Sequence, residues 1–211
     1  MFTRAPKSDE LYAGSRGARG TVCTRARKQA GFTLTELIVA VSVAGVLLGI
    51  AIPSYTAFTK NSNMITSANA LLSDLQYARN AAITRNQRVE VCPSSTGSDC
   101  DSTNWADGWI VFVDQNGDLT FDAGEPIERI GRKLTALSLA SVTTTFTASL
   151  TYRPNGRAMG ATIPQNFGGF LMCDSRGGSF ARGILIDRAG RPRVSWLAKV
   201  LPMPPTCPTV T

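Results

Sequence analysis

Lys28-Gln29-Ala30-Gly31-Phe32-Thr33-Leu34-Thr35-Glu36 leads directly into Leu37-Ile-Val-Ala-Val-Ser-Val-Ala-Gly-Val-Leu-Leu-Gly-Ile-Ala-Ile52, sixteen residues without a charge. Together with Phe32–Glu36 this run makes about 21 residues, roughly 30 Å of helix, the length that crosses the apolar core of a bilayer. Arg25, Arg27 and Lys28 precede it and hold that end on the cytoplasmic side, so the rest of the chain is expected to go across. A secretory signal would have a shorter apolar core followed by a small-x-small cut, and Ile52-Pro53-Ser54-Tyr55 is a poor site of that kind. Cleavage before the helix, between Gly31 and Phe32, fits better.

Glu36 then needs a reason, because an ionised carboxylate near an apolar core costs several kcal/mol without a partner. A cut after Gly31 creates an amine on Phe32, one helical turn away, and the same amine on a neighbouring subunit would serve equally. The plainer alternative is a carboxylate that reaches the interface. Gly45-Val-Leu-Leu-Gly49 has the GxxxG spacing that lets helices approach closely.

The charge distribution separates this segment from the rest. The chain of 211 residues carries +7 overall, but residues 1–31 hold seven Lys/Arg against Asp9 and Glu10, net +5. Residues 32–150 have seven basic and eleven acidic side chains, net −4, and residues 151–211 have eight basic against Asp174 and Asp187, net +6. A basic face therefore belongs to the C-terminal third. Residues 1–31 show no hydrophobic period and read as a disordered cytoplasmic leader.

Of five cysteines, Cys23 lies in the leader and Cys92, Cys100, Cys173 and Cys207 lie beyond the membrane helix. An even number of thiols there suits an oxidising compartment. Three pairings are open; Cys92–Cys100 with Cys173–Cys207 is preferred, closing a short loop and tying down the tail, and four unpaired buried thiols are the alternative.

After Pro53, expected to kink the helix, Ile65, Ala68, Leu72, Leu75, Ala78, Ala82 and Ile83 recur at helical spacing up to Asn86, forming one apolar stripe suited to packing on a sheet. Lys60, Asn63, Asp74, Arg79 and Arg85 surround it. From Gln87 the period becomes two. Strands are expected over 87–92, 109–113, 137–139, 143–152, 169–172, 184–186 and 194–197, with turn signals at Asn116-Gly117, Asn155-Gly156 and Ala189-Gly190. The expected fold is α+β: a long N-terminal, membrane-spanning helix packed by its C-terminal half on an antiparallel sheet domain. Its parts are a leader over 1–31, an anchoring helix over 32–53, an amphipathic helix over 54–86 and a β-rich domain over 87–211.

The N-terminal residues resemble the type IV prepilin signature: Gly31, Phe32, Glu36 five residues into the mature chain, an apolar helix and Pro53. The resemblance implies cleavage after Gly31 by a prepilin peptidase, methylation of the Phe32 amine, and a role for Glu36 in registering subunits during assembly. The leader is longer than most in that family, so either Met1 is not the true start or the extension is tolerated. Val91-Cys92-Pro93, Trp105-Ala-Asp-Gly108-Trp109-Ile-Val-Phe112, Asp114-Gln-Asn-Gly117-Asp118 and Tyr152-Arg-Pro-Asn-Gly156-Arg157 resemble the GspH/FimT group of minor pilins and pseudopilins. That implies assembly with other pilins or pseudopilins, inner-membrane anchoring with the C-terminal domain in the periplasm, and then a place in a pilus or pseudopilus.

Catalysis finds little support. The chain has no His, no nucleotide-binding loop and no nucleophile elbow, and no cofactor is expected. Asp114, Asn116 and Asp118, with Thr120, Asp122 and Glu125 beyond, alternate like calcium ligands, but the glycine precedes the third ligand and Asn116-Gly117 is itself a hairpin signal, so a solvated hairpin without metal is preferred. The site singled out is Asp187-Arg188-Ala189-Gly190-Arg191-Pro192-Arg193-Val194. Pro192 keeps the backbone extended, so Arg191 and Arg193 project from one edge, with Arg182, Arg188 and Lys199 as further candidates. Such guanidinium groups suit phosphate oxygens. Gly190-Arg191-x-Arg193 resembles the GRxR element of DNA-binding FimT-like minor pilins, which implies contact with double-stranded DNA during natural transformation. The alternative is that these arginines are solvated or pair with Asp187, Asp174 or an acidic neighbour.

Overall fold

The computed structural model describes residues 31–142, 146–160, 168–195 and Cys207. The leader expected over 1–31 lies outside these residues except for Gly31, as does Lys199. The chain divides into two compact units, one ending at Leu47 and the other running from Leu48 to Thr211. Helix α1 spans Leu34–Arg85. Thr33 caps its start, accepting the Glu36 amide on Oγ1 at 3.2 Å, and places Glu36 in the first turn, where a negative charge is favoured. Asn86, with φ 54°, ends it in the left-handed region. The helix is unbroken through Pro53, although proline withdraws one amide from the ladder.

In the first unit every described side chain is exposed, and α1 contains a stretch long and apolar enough to cross a membrane, none of it buried. In the second unit α1 packs by Met64, Ala68, Leu71, Leu75, Ala78, Ala81 and Ala82. The buried stripe is centred slightly differently from the expected one: Ile65 and Ile83 are 40 % and 44 % exposed, and Met64 and Leu71 occupy the core instead. Both sets contain Ala68, Leu75, Ala78 and Ala82, so a rotation of less than one residue separates them.

Nine strands in the described residues form two antiparallel sheets. The first has five strands in the order β3 (Ile127–Gly131), β2 (Trp109–Asp114), β1 (Arg88–Pro93), β5 (Leu150–Tyr152), β6 (Ala158–Gly160); the second has four, β4 (Ser138–Ser141), β7 (Gly168–Cys173), β8 (Arg182–Ile186), β9 (Pro192–Ser195). Alternate residues of both sheets, including Val89, Val111, Leu150, Phe170 and Ile184, join the α1 stripe in one core. Trp105 closes part of it, edge-on to Phe170 at 4.7 Å between centroids, with Nε1 donating to the Phe146 and Thr147 carbonyls at 3.1 Å.

Strand β3 was not among the expected strands, and its register explains why. Ile127 pairs with Phe112 but Arg129 pairs with Val111, so Glu128 is the extra residue of a bulge. The bulge breaks the two-residue alternation and turns both Glu128 and Arg129 towards α1. Tyr77 Oη donates to Glu128 at 2.7 Å, Arg85 pairs with Glu128 at 2.9 Å, and Arg129 lies 4.3 Å over the Tyr77 ring and 3.3 Å from Asp74. Asp74, expected on the polar side of the helix, is buried and also accepts from Trp109 Nε1 at 2.9 Å.

Two further expectations change. Of the strand expected over 143–152, residues 143–145 lie outside the described residues and the described part is strand over Leu150–Tyr152, and the expected Asn116-Gly117 hairpin is replaced by a longer loop between Asp114 and Ile127. Asn155-Gly156 does make a hairpin turn, joining β5 to the short β6. Disulfides join Cys92 to Cys100 and Cys173 to Cys207, with Cα separations of 5.6 and 5.8 Å. The second closes the longer loop and so restricts the unfolded chain more, on the order of 4 against 2.5 kcal/mol in a chain-entropy model.

Candidate functional site

The turn between β8 and β9 is built around Asp187. Its Oδ1 accepts the Ala189 and Arg191 amides, both at 2.9 Å, and its Oδ2 accepts Arg191 Nε at 3.1 Å. Partial burial opposes the charge, but the Arg191 and Ala189 amides and the Arg191 guanidinium outweigh it and hold the carboxyl below its ordinary value. Gly190 has φ +76°, and a Cβ there would lie 2.0 Å from the Gly156 carbonyl oxygen, so this position admits only glycine without a backbone shift. The glycine of Gly190-Arg191-x-Arg193 therefore serves the contact between two turns, one from each sheet.

Arg191 and Arg193 flank the buried Pro192 and are both exposed, as alternation along β9 requires. Pro192 pairs with Ile186 on the strand's inner side, and among the described residues β9 has no partner on its outer side, which is where a proline is tolerated. Arg193 has no ion-pair partner among the described residues; Arg191 is half-exposed and spends Nε on Asp187. Pairing with Asp187, one of the alternatives above, is thus realised for Arg191, whereas Asp174 is taken by Arg176. An exposed pair of this kind contributes about 0–1 kcal/mol, little enough for a phosphate to displace it.

A third guanidinium joins them. Arg79 of α1 donates from Nε to the Gly156 carbonyl at 3.0 Å and from Nη2 to the Ala189 carbonyl at 3.4 Å, bridging the same two turns. Arg79, Arg191 and Arg193, with Gln76, Asn80 and Pro192, line a groove of about 310 Å³ between α1 and the edge of the four-stranded sheet. Sequence spacing could not link Arg79 to a turn 110 residues away. Of the other candidates, Arg188 is exposed in the turn itself, and Arg182 opens β8, opposite Met172 and at the far end of the strand from Gly190.

At the other end of the chain, Phe32 is exposed, and so are all the large apolar residues from Leu34 to Phe58. A Cβ added at Gly45 or Gly49 would meet nothing within 4 Å, which leaves both open to a close helical neighbour. Glu36 is likewise exposed.

The loop with calcium-like spacing is occupied by its own backbone. Asp114 accepts the Gly117 and Leu119 amides, Asp118 accepts the amide and hydroxyl of Thr120, and Glu125 accepts the Gln115 and Asp122 amides. Among the described residues no group of three such side chains is arranged to hold a metal ion.

Comparison with known proteins gives two family matches: Type II transport protein GspH over residues 67–190, and the Prokaryotic N-terminal methylation motif over residues 26–52. The chain is 34 % identical over 95 residues to the Pilin-like protein PilA1 of Thermus thermophilus, covering 45 % of this chain and 54 % of that protein. It is 37 % identical over 73 residues to a Fimbrial protein of Pseudomonas aeruginosa, covering 35 % and 46 % respectively. These matches span about half the length of the relatives. Among solved structures, the type IV minor pilin FimU of Pseudomonas aeruginosa superposes with a TM-score of 0.47 and 20 % identity, covering 67 % of this chain and 95 % of that one. The minor pseudopilin EpsH of Vibrio cholerae gives 0.45 and 11 %, covering 63 % and 96 %. With the methylation motif on its apolar helix and the GspH match across most of the domain behind it, the chain belongs to the GspH family of pilin-like subunits, structural proteins rather than enzymes.

Proposed function

We propose that this chain is a minor type IV pilin that is cut after Gly31, methylated on the Phe32 amine, assembled through its apolar helix, and able to bind DNA without sequence preference through the β8–β9 turn. The observation that carries the DNA reading is the groove in which Arg79, Arg191 and Arg193 converge. Three guanidinium groups on one rim match successive phosphate oxygens, and none of them reads a base. Glu36 is the counter-charge for the Phe32 amine of the same or a neighbouring subunit, a pairing that offsets the cost of a carboxylate in the apolar layer. The prepilin peptidase, the other subunits and the inner membrane are the partners of this cycle, with the domain behind the helix in the periplasm before assembly.

Binding is tested on a fragment beginning at Ser62, since every buried residue of the described chain lies at Met64 or beyond. Gel-shift titration with double-stranded DNA is expected to give a log–log salt slope of about −2 to −3 for two or three phosphate contacts. In Arg191→Glu/Arg193→Glu the slope falls towards roughly −1 and affinity drops at least about tenfold. Equal binding by that variant removes the turn from the interface. The GspH match favours a second reading, a pseudopilin of type II secretion whose domain contacts only proteins, and absence of DNA binding by the parent fragment would select it.

Processing has its own readout. Gly31→Leu is expected to leave the chain at its uncut length in cells carrying the peptidase, whereas normal trimming of that variant would exclude cleavage at this bond.

A further inference from the structure

On the face of the five-stranded sheet opposite α1, Glu90 lies at the floor of a cavity of about 540 Å³. Its strand neighbours Val89 and Val91 point into the core under the helix, so Glu90 points away from it, between Thr151 of β5 and Phe112 of β2. The walls come from three segments: the Cys92–Cys100 disulfide loop, Thr120 and Phe121 of the β2–β3 loop, and Thr147–Ser149 before β5. Glu90 is 1 % exposed, and among the described residues its Oε2 has no hydrogen-bond partner. Ser149 Oγ and Thr151 Oγ1 are buried beside it and equally unpartnered.

A buried carboxylate with an unfilled acceptor is costly unless a cation or donor meets it. The charges that face Glu90 only add to the cost: Asp114 of β2, Glu125 of the β2–β3 loop, and Asp99 on the cavity rim. Among the described residues, the cavity lining contains no lysine or arginine. Arg88 lies two residues earlier on the same strand face but donates to the Gly117 carbonyl and lines a different depression. We propose that this cavity binds an alkylammonium group, carried by a lysine side chain of a neighbouring subunit or by a free aliphatic amine, with Glu90 as its counter-charge. An ammonium has three donors, enough to meet the unfilled oxygens of Glu90 and Ser149, both of which line the cavity. Phe121 and the disulfide provide apolar wall for its methylene stem. Rotation about the last side-chain bond of Glu90, which has a broad, low barrier, turns an oxygen to the ligand.

The test uses the full chain in detergent micelles with ¹³C-labelled glutamate carboxyls, of which the chain has only five. Glu90 is assigned from the signal lost in Glu90→Gln. Saturating n-butylamine is expected to lower the apparent pKa of the Glu90 carboxyl by about one unit, the tenfold preference of a bound cation for the ionised form, while n-butanol leaves it in place. A short peptide with one central lysine producing the same shift identifies a protein side chain as the ligand source; a shift with butylamine alone assigns the site to a free amine. Glu125→Gln retains the response. A Glu90 titration curve that neither butylamine nor the peptide moves overturns the proposal; the titration is read on the parent chain, and Glu90→Gln serves only to assign the signal.

Discussion

Gly131→Ala is expected to be among the most destabilising substitutions in the domain, costing about 3–5 kcal/mol through overpacking and loss of a buried hydrogen bond. A Cβ at Gly131 would lie 2.0 Å from Trp109 Cε2 and 2.3 Å from Cδ2, well inside contact distance. Trp109 is 1 % exposed and cannot swing into solvent without opening the core. Its indole N–H is held by Asp74 Oδ2, and the other oxygen of Asp74 is held by Arg129. Displacing the ring therefore leaves a buried carboxylate short of a donor and loosens the contact between β3 and α1 at the same time. Gly124 is the control, because a Cβ there meets nothing and only its φ of +111° opposes alanine. Gly124→Ala should cost roughly 1 kcal/mol. Urea denaturation followed by tryptophan fluorescence distinguishes the two, and a Gly131→Ala midpoint within error of Gly124→Ala would show that the sheet edge yields easily.

The same corner of the domain marks the limit of reading the fold from residue order. Strands β1 and β2 were legible because Val89, Val91, Val111 and Val113 alternate towards one core without interruption. Strand β3 was not, since the bulge at Glu128 places Ile127 and Ile130 on one face although they stand three apart. The α1 stripe was legible in period but not in phase, because Met64 and Leu71 compete with Ile65 and Leu72 for the same facing positions, and only the sheet surface decides between them. Asp74 looked like a solvent residue; its burial depends on Trp109 and Arg129, 35 and 55 residues further on. At the candidate site, the Ala189-Gly190 turn and the exposure of Arg191 and Arg193 followed from local chemistry. Arg79 did not, because its place in the groove is fixed by two backbone carbonyls from turns in different sheets.

Glu90→Gln is expected to stabilise the chain above neutral pH and to remove much of its pH dependence between mildly acidic and neutral conditions. Burial is the largest influence on the Glu90 carboxyl and raises it to about 7, with Asp114 and Glu125 adding to the rise; the Ser149 and Thr151 hydroxyls, close but outside good hydrogen-bond geometry, offset part of it. The sign follows from proton binding. Below the ordinary value of 4.5 the group is protonated in both folded and unfolded chains, and its contribution to stability is at its full value. Between 4.5 and about 7 the unfolded chain ionises while the folded one does not, so stability falls as pH rises, and above about 7 the contribution has gone. The interval corresponds to on the order of 3 kcal/mol. Glutamine keeps the shape and cannot ionise, so the difference in unfolding free energy between variant and parent should grow from near zero at pH 4 to roughly 3 kcal/mol at pH 8. Chemical denaturation at intervals across that range measures the difference directly and cancels the contributions of the other carboxylates. A constant offset across the range would mean that the Glu90 carboxyl ionises as easily folded as unfolded, and that water already reaches the cavity floor.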